Sequence, residues 1–198
     1  MPVERFNTLV SGYVPLPVDN IDTDQIIPAR FLKETSREGF GKKLFYDWRY
    51  LGNGDPNPDF VLNDPGFSGK ILVTGKNFGS GSSREHAAWA IYDYGFRVVV
   101  AGSFADIFRG NALNTGLLPV EVGSAFIDTM MKALELSPAP RLKVDLENQR
   151  IKLMPDGISE GFEIDAYKKN CLLMGYDDID YLLSRQKEIE KWEKTNKR

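Results

Sequence analysis

Two short apolar segments in the middle of the chain are each followed by a helical pattern. Residues 71–75 (ILVTG) and 97–102 (RVVVAG) are rich in β-branched side chains, which is typical of buried strands. The first leads into REHAAWAIYDYG and the second into SFADIFRGNALNTG, where we expect Ser103 to cap a helix that ends near Gly116. A third apolar run, LLPVEV, follows. Two successive strand–loop–helix units favour a parallel sheet.

The segments on either side of this region have different patterns. Turn-forming residues are frequent in the first 70 positions, which predicts short strands and loops with few long helices. Later, SAFIDTMMKALEL is typical of an amphipathic helix and RLKVDLENQRIKL of a hairpin that turns at residues 147–149. Residues 163–174 favour a further helix, and the acidic start and basic end of residues 177–194 suit one peripheral helix.

Composition narrows the class of protein. The chain has 198 residues, of which 42% are hydrophobic and 27% charged, so we expect a single domain (1–198) with its core at about 6–183. A net charge of −3 leaves no basic footprint for nucleic acid. The one cysteine, Cys171, suits a reducing compartment, and from the start of the chain and its apolar runs we expect neither a signal peptide nor a membrane span. We therefore expect a cytoplasmic protein with no nucleic-acid or membrane partner.

The segment GSGSSREHAAW (79–89) carries candidate chemistry between the first apolar run and its helix. Ser82 and Glu85 have the spacing of a capping box, in which both side chains accept hydrogen bonds from backbone amides at the helix start. The glycines, the outward amides and the helix dipole favour an anion, and Arg84 adds a planar cation suited to a carboxylate or phosphate. A phosphate cofactor is the weaker alternative, because no GK[ST] follows the glycines and the GxGxxG spacing is absent.

A Ser–His hydrolase is an alternative interpretation of this segment, because Ser82 or Ser83 would share a helical face with His86. However, catalytic triads usually bring their members together from distant segments, and the motif G-x-S-x-G is absent. We therefore interpret His86 as a supporting helix residue.

Three acids in DNIDTDQIIPARF form a second constellation, namely Asp19, Asp22 and Asp24. Their spacing loosely resembles a calcium loop, but the central glycine and the distal glutamate of an EF-hand are missing. Taken alone, the segment predicts only a turn that is stabilised by hydrogen bonds to its own backbone.

Five segments together carry a resemblance to a known family. In chain order they are IDTDQIIPARFL, LFYDWRYL, NPDFVLN, NFGSGSSREHAAWAIYDYGFRVVVAGSFADIF and GNALNTGLLPV. From about Phe6 to Leu183 the chain resembles the small subunits of bacterial 3-isopropylmalate dehydratase (isopropylmalate isomerase), which are similar to the swivelling fourth domain of aconitase. The resemblance implies an α/β (α+β) fold of the swivelling β/β/α type, with helices around a mixed sheet or barrel-like core.

The resemblance also implies a reaction, a cofactor and a partner. The family's hydro-lyases act in leucine biosynthesis and interconvert 2-isopropylmalate and 3-isopropylmalate by removing and re-adding water through isopropylmaleate. A [4Fe-4S] cluster, held by three cysteines of a separate large subunit, binds the departing hydroxyl. The lone Cys171 agrees with this division, and we expect no metal or cofactor on this chain itself. A heterodimer or heterotetramer with the large subunit, binding a small dicarboxylate between the chains, is expected.

The family's functional residues match particular positions of this sequence. Ser82 matches the catalytic base that takes a proton from the carbon next to a carboxylate. Because a serine hydroxyl is a poor base at its ordinary pKa, the site must stabilise the alkoxide. Ser83 and Arg84 match residues that bind a substrate carboxylate, and Asp24 matches an active-site acid that orients the arginines.

A loop at residues 31–45 is where the family sets its specificity. Arg37 falls about where aconitase carries a further substrate-binding arginine. An isopropyl group requires an apolar pocket, which Phe31, Leu32 and Phe40 could provide.

Two alternatives remain open at this point. Other hydro-lyases, namely homoaconitase and citraconate or maleate hydratase, share the scaffold and differ mainly in the specificity loop. Relatives of aconitase also include RNA-binding regulators, so a non-catalytic binding protein is the alternative from another class. The absence of a basic patch argues against it.

Overall fold

Seven strands form one mixed sheet in the computed structural model, which describes residues 4–33, 39–137, 139–155 and 157–196. The strands are β1 (Thr8–Leu16), β2 (Ile71–Thr74), β3 (Val98–Ala101), β4 (Leu118–Glu121), β5 (Arg141–Asp145), β6 (Arg150–Met154) and β7 (Ser159–Gly161). Their order is β4-β3-β2-β1-β5-β6-β7; β1 to β4 run parallel, and β1 pairs antiparallel with β5, which continues into β6 and β7. The prediction of an α/β fold around a mixed sheet is confirmed.

Helices cover both faces of this sheet. They are α1 (Thr23–Ile26), α2 (Tyr46–Arg49), α3 (Glu85–Tyr94), α4 (Asp106–Thr115), α5 (Ser124–Leu136), α6 (Ala166–Met174), α7 (Asp178–Ser184) and α8 (Gln186–Thr195), with 3₁₀ turns at Ala29–Phe31, Phe40–Lys43 and Val61–Asn63. None of the helices in the described ranges has both the length and the apolar character needed to cross a membrane.

The parallel strands β2 and β3 are buried on both faces. All of their side chains are fully buried. Leu72 and Val99 pack in one cluster with α3 and α4, whereas Ile71 and Val98 pack in a second cluster with α5 and α6. Burial from both sides explains why these strands are continuous apolar runs in the sequence.

β1 is longer than the short strands predicted for this region. Its sequence, TLVSGYVPL, interrupts the apolar pattern with Gly12 because the backbone of residues 68–69 passes close to it. A Cβ atom at Gly12 would lie 2.4 Å from the carbonyl oxygen of Ser68. The interruption therefore reflects a tertiary contact, which the periodicity of the segment does not reveal.

Other predicted elements are confirmed, with differences at their ends. Helix α5 and the β5–β6 hairpin have the predicted positions. Helix α6 begins at Ala166 rather than at residue 163, because the Asp165 side chain caps it by accepting a hydrogen bond from the Lys168 N–H at 3.1 Å. The tail forms α7 and α8 instead of one helix, since the chain leaves helical dihedral angles at Arg185. Neither α7 nor α8 contains a buried residue.

Helix α4 does not begin as predicted. It starts at Asp106, and no side chain caps it. The predicted cap by Ser103 is wrong, because the Ser103 hydroxyl instead accepts a hydrogen bond from the backbone N–H of Asn77 at 2.8 Å. This bond ties the loop after β3 to the loop after β2.

Candidate active site

Two loops meet at the carboxyl end of the parallel strands, the edge at which open α/β sheets bind ligands. One follows β1 and the other follows β2. The N–H of Gly79 donates to the carbonyl oxygen of Ile21 at 2.8 Å, and the N–H of Thr23 donates to that of Ser80 at 2.8 Å. The Thr23 hydroxyl donates to the carbonyl oxygen of Ser82 at 2.9 Å, although 59 positions separate the two residues. The fold thereby holds the two predicted site segments side by side.

The loop after β2 depends on two glycines. Gly79 and Gly81 have φ angles of +76° and +90°, in the left-handed region that favours glycine. At Gly79 there is also no space for a side chain, because a Cβ atom would lie 2.2 Å from Cγ of Phe108 on α4. The tight turn leaves Ser82 and Ser83 exposed at the end of the loop.

The Ser82 side chain is not part of a helix cap. Helix α3 begins after Arg84, and no side chain caps it. The predicted capping box of Ser82 and Glu85 is therefore wrong, because Ser82 lies two residues before the N-cap position. The Glu85 carboxylate accepts a hydrogen bond from the Trp89 indole N–H at 3.1 Å. The Ser82 hydroxyl has no hydrogen-bond partner in the part of the chain that the structure describes.

Asp24 and Arg84 form a two-pronged ion pair between the two loops. Nη1 of Arg84 donates to Oδ1 of Asp24, and Nη2 donates to Oδ2 at 2.7 Å. The Arg84 side chain is only 13% exposed, whereas that of Asp24 is 57% exposed. The hydrogen bond from Arg84 lowers the pKa of Asp24, and the N–H of Ala29 contributes with a bond of 3.2 Å. Asp24 therefore remains ionised and fixes the plane of the guanidinium.

Arg84 retains donors for a ligand. A guanidinium carries five N–H donors. Asp24 occupies the end formed by Nη1 and Nη2, and Nη1 also reaches the carbonyl oxygen of Ile27 at 3.4 Å. Within the described ranges, Nε and the second hydrogen of Nη2 have no acceptor. This second edge has the geometry to bind another carboxylate through two parallel hydrogen bonds.

The other two aspartates of the DNIDTDQ segment have structural roles. Asp22 caps α1 by accepting from the N–H of Gln25 at 2.8 Å, while the Gln25 side chain accepts from the N–H of Asp22 at 2.8 Å. The predicted self-stabilised turn is thus confirmed for Asp22. Asp19 differs, because its carboxylate accepts from the N–H of Lys76 in the other loop at 2.6 Å.

A cavity of about 250 Å³ opens beside the two loops. The loop side is lined by Thr23, Gly79, Gly81, Ser82 and Arg84, and the α4 side by Ala105, Asp106, Ile107, Phe108 and Asn111. Its volume lies somewhat below the roughly 300–1,000 Å³ of pockets for drug-sized ligands, so it suits a small organic acid.

The contribution of α4 to this cavity is absent from our sequence-based prediction. Ile107 is 56% exposed, which is unusual for an isoleucine in the first turn of a helix that packs on a core. Asn111 follows it by one helical turn and therefore lies on the same face. That i, i+4 spacing was available in the sequence, but only the fold brings α4 beside Ser82.

His86 and Phe40 belong to an aromatic cluster behind the loop. The His86 ring lies 4.6 Å from the ring of Trp89 and 5.4 Å from that of Phe40, measured between centroids. Phe40 is fully buried in the core. His86 thus packs as a supporting residue, and Phe40 presents no surface to a ligand in this structure.

The remaining predicted residues have different positions. Phe31 and Leu32 are half-buried and pack against the same core, with the Phe31 ring 5.1 Å from that of Tyr46. Arg37 lies outside the described residues. Residues 34–38 of the predicted specificity loop (31–45) likewise lie outside the described residues.

The described residues contain no group of three or more His, Cys, Asp and Glu side chains that could hold a metal ion. Cys171 is buried in α6, a helix that packs on the opposite face of the sheet from α3 and α4. Burial raises the pKa of its thiol, which disfavours the thiolate that a metal would need.

Comparisons with known proteins cover nearly the whole chain. Residues 3–125 match the family model described as the aconitase C-terminal domain, and residues 128–166 match the model described as LeuD_N. The first range contains β1 to β4, and the second contains β5 to β7. Both halves of the sheet therefore have counterparts in known families.

Individual relatives are similar over nearly their full length. A 3-isopropylmalate dehydratase small subunit of Cytophaga hutchinsonii is 60% identical over 98% of this chain and 97% of its own. A protein of the same name from Christiangramia forsetii is 58% identical over 96% of this chain and 93% of its own. A crystal structure of 3-isopropylmalate dehydratase (leuD) from Methanocaldococcus jannaschii has a TM-score of 0.68 and 26% identity, covering 93% of this chain and 98% of that one.

Proposed function

The chain belongs to the family of 3-isopropylmalate dehydratase small subunits, and from this premise we propose that it supplies the base and a carboxylate-binding arginine for isopropylmalate isomerisation. The reaction interconverts 2-isopropylmalate and 3-isopropylmalate through isopropylmaleate. The observation that carries the proposal is the Asp24–Arg84 ion pair beside the exposed hydroxyl of Ser82, at one cavity.

Arg84 binds and orients the substrate. Its edge of Nε and Nη2 receives one substrate carboxylate, and Ser83, the exposed neighbour in the same loop, donates to that carboxylate as well. Asp24 holds the guanidinium plane from the other side, and its lowered pKa keeps the pair ionised at neutral pH. Because Asp24 already fixes the guanidinium before the substrate binds, the Arg84 side chain loses little conformational entropy on binding.

Ser82 moves the proton. When Arg84 holds one substrate carboxylate, the Ser82 Oγ, as an alkoxide, takes the proton from the carbon that bears this carboxylate. The electrons of the broken C–H bond form the C=C bond, and hydroxide leaves the next carbon of the substrate. The reverse addition, with proton and hydroxyl at exchanged carbons, yields the isomer. The Arg84 cation and the start of α3 stabilise negative charge on Oγ.

A large subunit supplies the iron–sulfur cluster of the reaction. In this family three thiolates hold the [4Fe-4S] cluster, and the sequence contains one cysteine, so the residues of this chain do not fit the cluster. Held by the large subunit, the cluster provides Lewis-acid chemistry for the departing hydroxyl group. We propose a heterodimer or heterotetramer in the cytoplasm, in which this chain is a single swivelling domain that closes the active site.

Co-expression with a large subunit under anaerobic conditions tests this function. The complex should form isopropylmaleate from either isopropylmalate isomer, measured by the ultraviolet absorbance of the product. Each subunit alone is the control and should be inactive. Homoaconitate and citraconate should react much more slowly, and faster turnover of either acid would assign the chain to that hydro-lyase instead.

A further inference from the structure

Asn111 is a polar side chain of the cavity to which the proposed mechanism gives no role. It lies on α4, one turn after Ile107, and lines the same cavity as Ser82 and Arg84. The residue is half-buried. Its backbone carbonyl accepts a hydrogen bond from the Thr115 hydroxyl at 2.8 Å, but its side-chain amide has no partner within the described ranges.

Two exposed asparagine side chains nearby each have a hydrogen-bond partner within the protein. Asn114, three residues further along α4, accepts a hydrogen bond from Nζ of Lys168 at 2.8 Å. Asn77, in the loop after β2, donates to the Asn20 side chain at 2.9 Å. Among the described residues, Nε of Arg49 is the one fully buried side-chain polar atom without a partner, so the Asn111 amide remains accessible to solvent and to a ligand. Asn111 is therefore placed to bind what enters the cavity.

We propose that Asn111 binds the substrate by donating its side-chain N–H to the carboxylate that Arg84 does not hold. The inference rests on the proposed function, because it takes the ligand to be a dicarboxylate. Arg84 belongs to the loop side of the cavity and Asn111 to the α4 side, so the two carboxylates of one small acid reach one side each.

The composition of the α4 side supports an amide in this role. Of the described residues on that side, Asn111 is the one with a side-chain N–H donor; Asp106 carries a negative charge, and Ile107 and Phe108 are apolar. A hydrogen bond to a charged group contributes more than one between neutral groups.

The test compares Asn111→Ala and Asn111→Asp in the complex with the large subunit. Loss of the donor in Asn111→Ala should raise KM for isopropylmalate about tenfold or more, with a smaller change in kcat. Asn111→Asp should raise KM further, because its carboxylate repels a dianion. That extra increase should shrink as the pH falls towards the ordinary pKa of aspartate, since protonation removes the repulsion.

Asn114→Ala is the matched control, since it removes the same side chain from the same helix away from the cavity, and its KM should be unchanged. Thermal unfolding of each variant reports on the fold. If the alanine variant does not fold, the isosteric Asn111→Asp still decides. An unchanged KM in Asn111→Ala, or a pH-independent KM in Asn111→Asp, would overturn the assignment, whereas a wild-type complex inactive on isopropylmalate would refute the proposed function instead.

Discussion

The parallel and antiparallel halves of the sheet differ in burial and in whether their connecting loops contain predicted site residues. In the parallel half, β2 and β3 are buried on both faces, and every predicted site residue in the described ranges follows β1 or β2. In the antiparallel half, β5 and β6 alternate between buried and more exposed positions, and their turn contains none of those residues.

The difference has a topological cause. Parallel neighbours need crossover connections, so the loops that leave β1, β2 and β3 all begin at one edge of the sheet. Asp24 and Arg84, 60 positions apart, meet there. A hairpin turn, by contrast, mainly brings together residues that are already close in sequence. Substitutions in the two halves should therefore separate loss of activity from loss of stability.

Ser82→Ala should have the largest effect on activity. Removal of the proton-transfer group should lower kcat by about 10²–10⁴-fold, with little effect on folding because the hydroxyl has no partner in the described structure. Steady-state kinetics measure kcat, and the mass of the complex shows whether the variant still folds and assembles. Ser159→Ala, the same change in the antiparallel half, is the control and should retain wild-type kcat. Near wild-type turnover of Ser82→Ala would exclude it as the base.

Leu142→Ala should show the opposite behaviour. Leu142 is fully buried in the antiparallel half, so its truncation should lower the free energy of unfolding by about 2–5 kcal/mol. Urea unfolding of the isolated chain measures this loss. At a temperature where the variant remains folded, kcat of the complex should be unchanged; a large decrease in kcat would mean that the two halves are coupled in function.

Gly79→Ala should affect both properties. The new Cβ atom would meet the Phe108 ring at a residue with positive φ, which should destabilise the fold by about 1–3 kcal/mol and move the loop that carries Ser82. Gly110→Ala on α4 is the matched control. Its Cβ atom meets nothing within 4 Å, and alanine favours a helix, so stability should rise by up to about 1 kcal/mol. Equal stability of the two variants would contradict the close packing at Gly79.

Arg84→Lys should have the smallest effect on stability, but it should raise the pKa of Asp24. The hydrogen bonds from Arg84 lower the pKa of Asp24, so the stabilisation from the ion pair is present above the ordinary pKa of aspartate and is lost as the pH falls through the lowered value. Lysine cannot make the two-pronged contact, and the pKa of Asp24 should rise towards its ordinary value. Carboxyl NMR of the isolated chain measures this shift, and an unchanged pKa would show that the pair does not persist in solution.

Local patterns were sufficient to predict much of this fold. The apolar runs at 71–75 and 97–102, the amphipathic helix α5 and the β5–β6 hairpin all depend on spacing within a few residues, and they lie where the sequence places them. The errors concern helix starts. Ser82 and Ser103 are of a residue type that often caps helices, but contacts with other loops determine where α3 and α4 begin. The Ser103 hydroxyl, for example, accepts a hydrogen bond from the N–H of Asn77 instead.

The amino-acid order specified which side chains were available for chemistry: a serine pair, an arginine and an aspartate in turn-rich segments, and too few cysteines for a cluster. Folding determined which of them meet. The Asp24–Arg84 pair and the placement of Asn111 beside Ser82 result from closing loops of tens of residues, and the burial of Phe40 results from packing against α3. Hydrophobic periodicity reports a residue's own element and face, whereas such contacts depend on how separate elements pack.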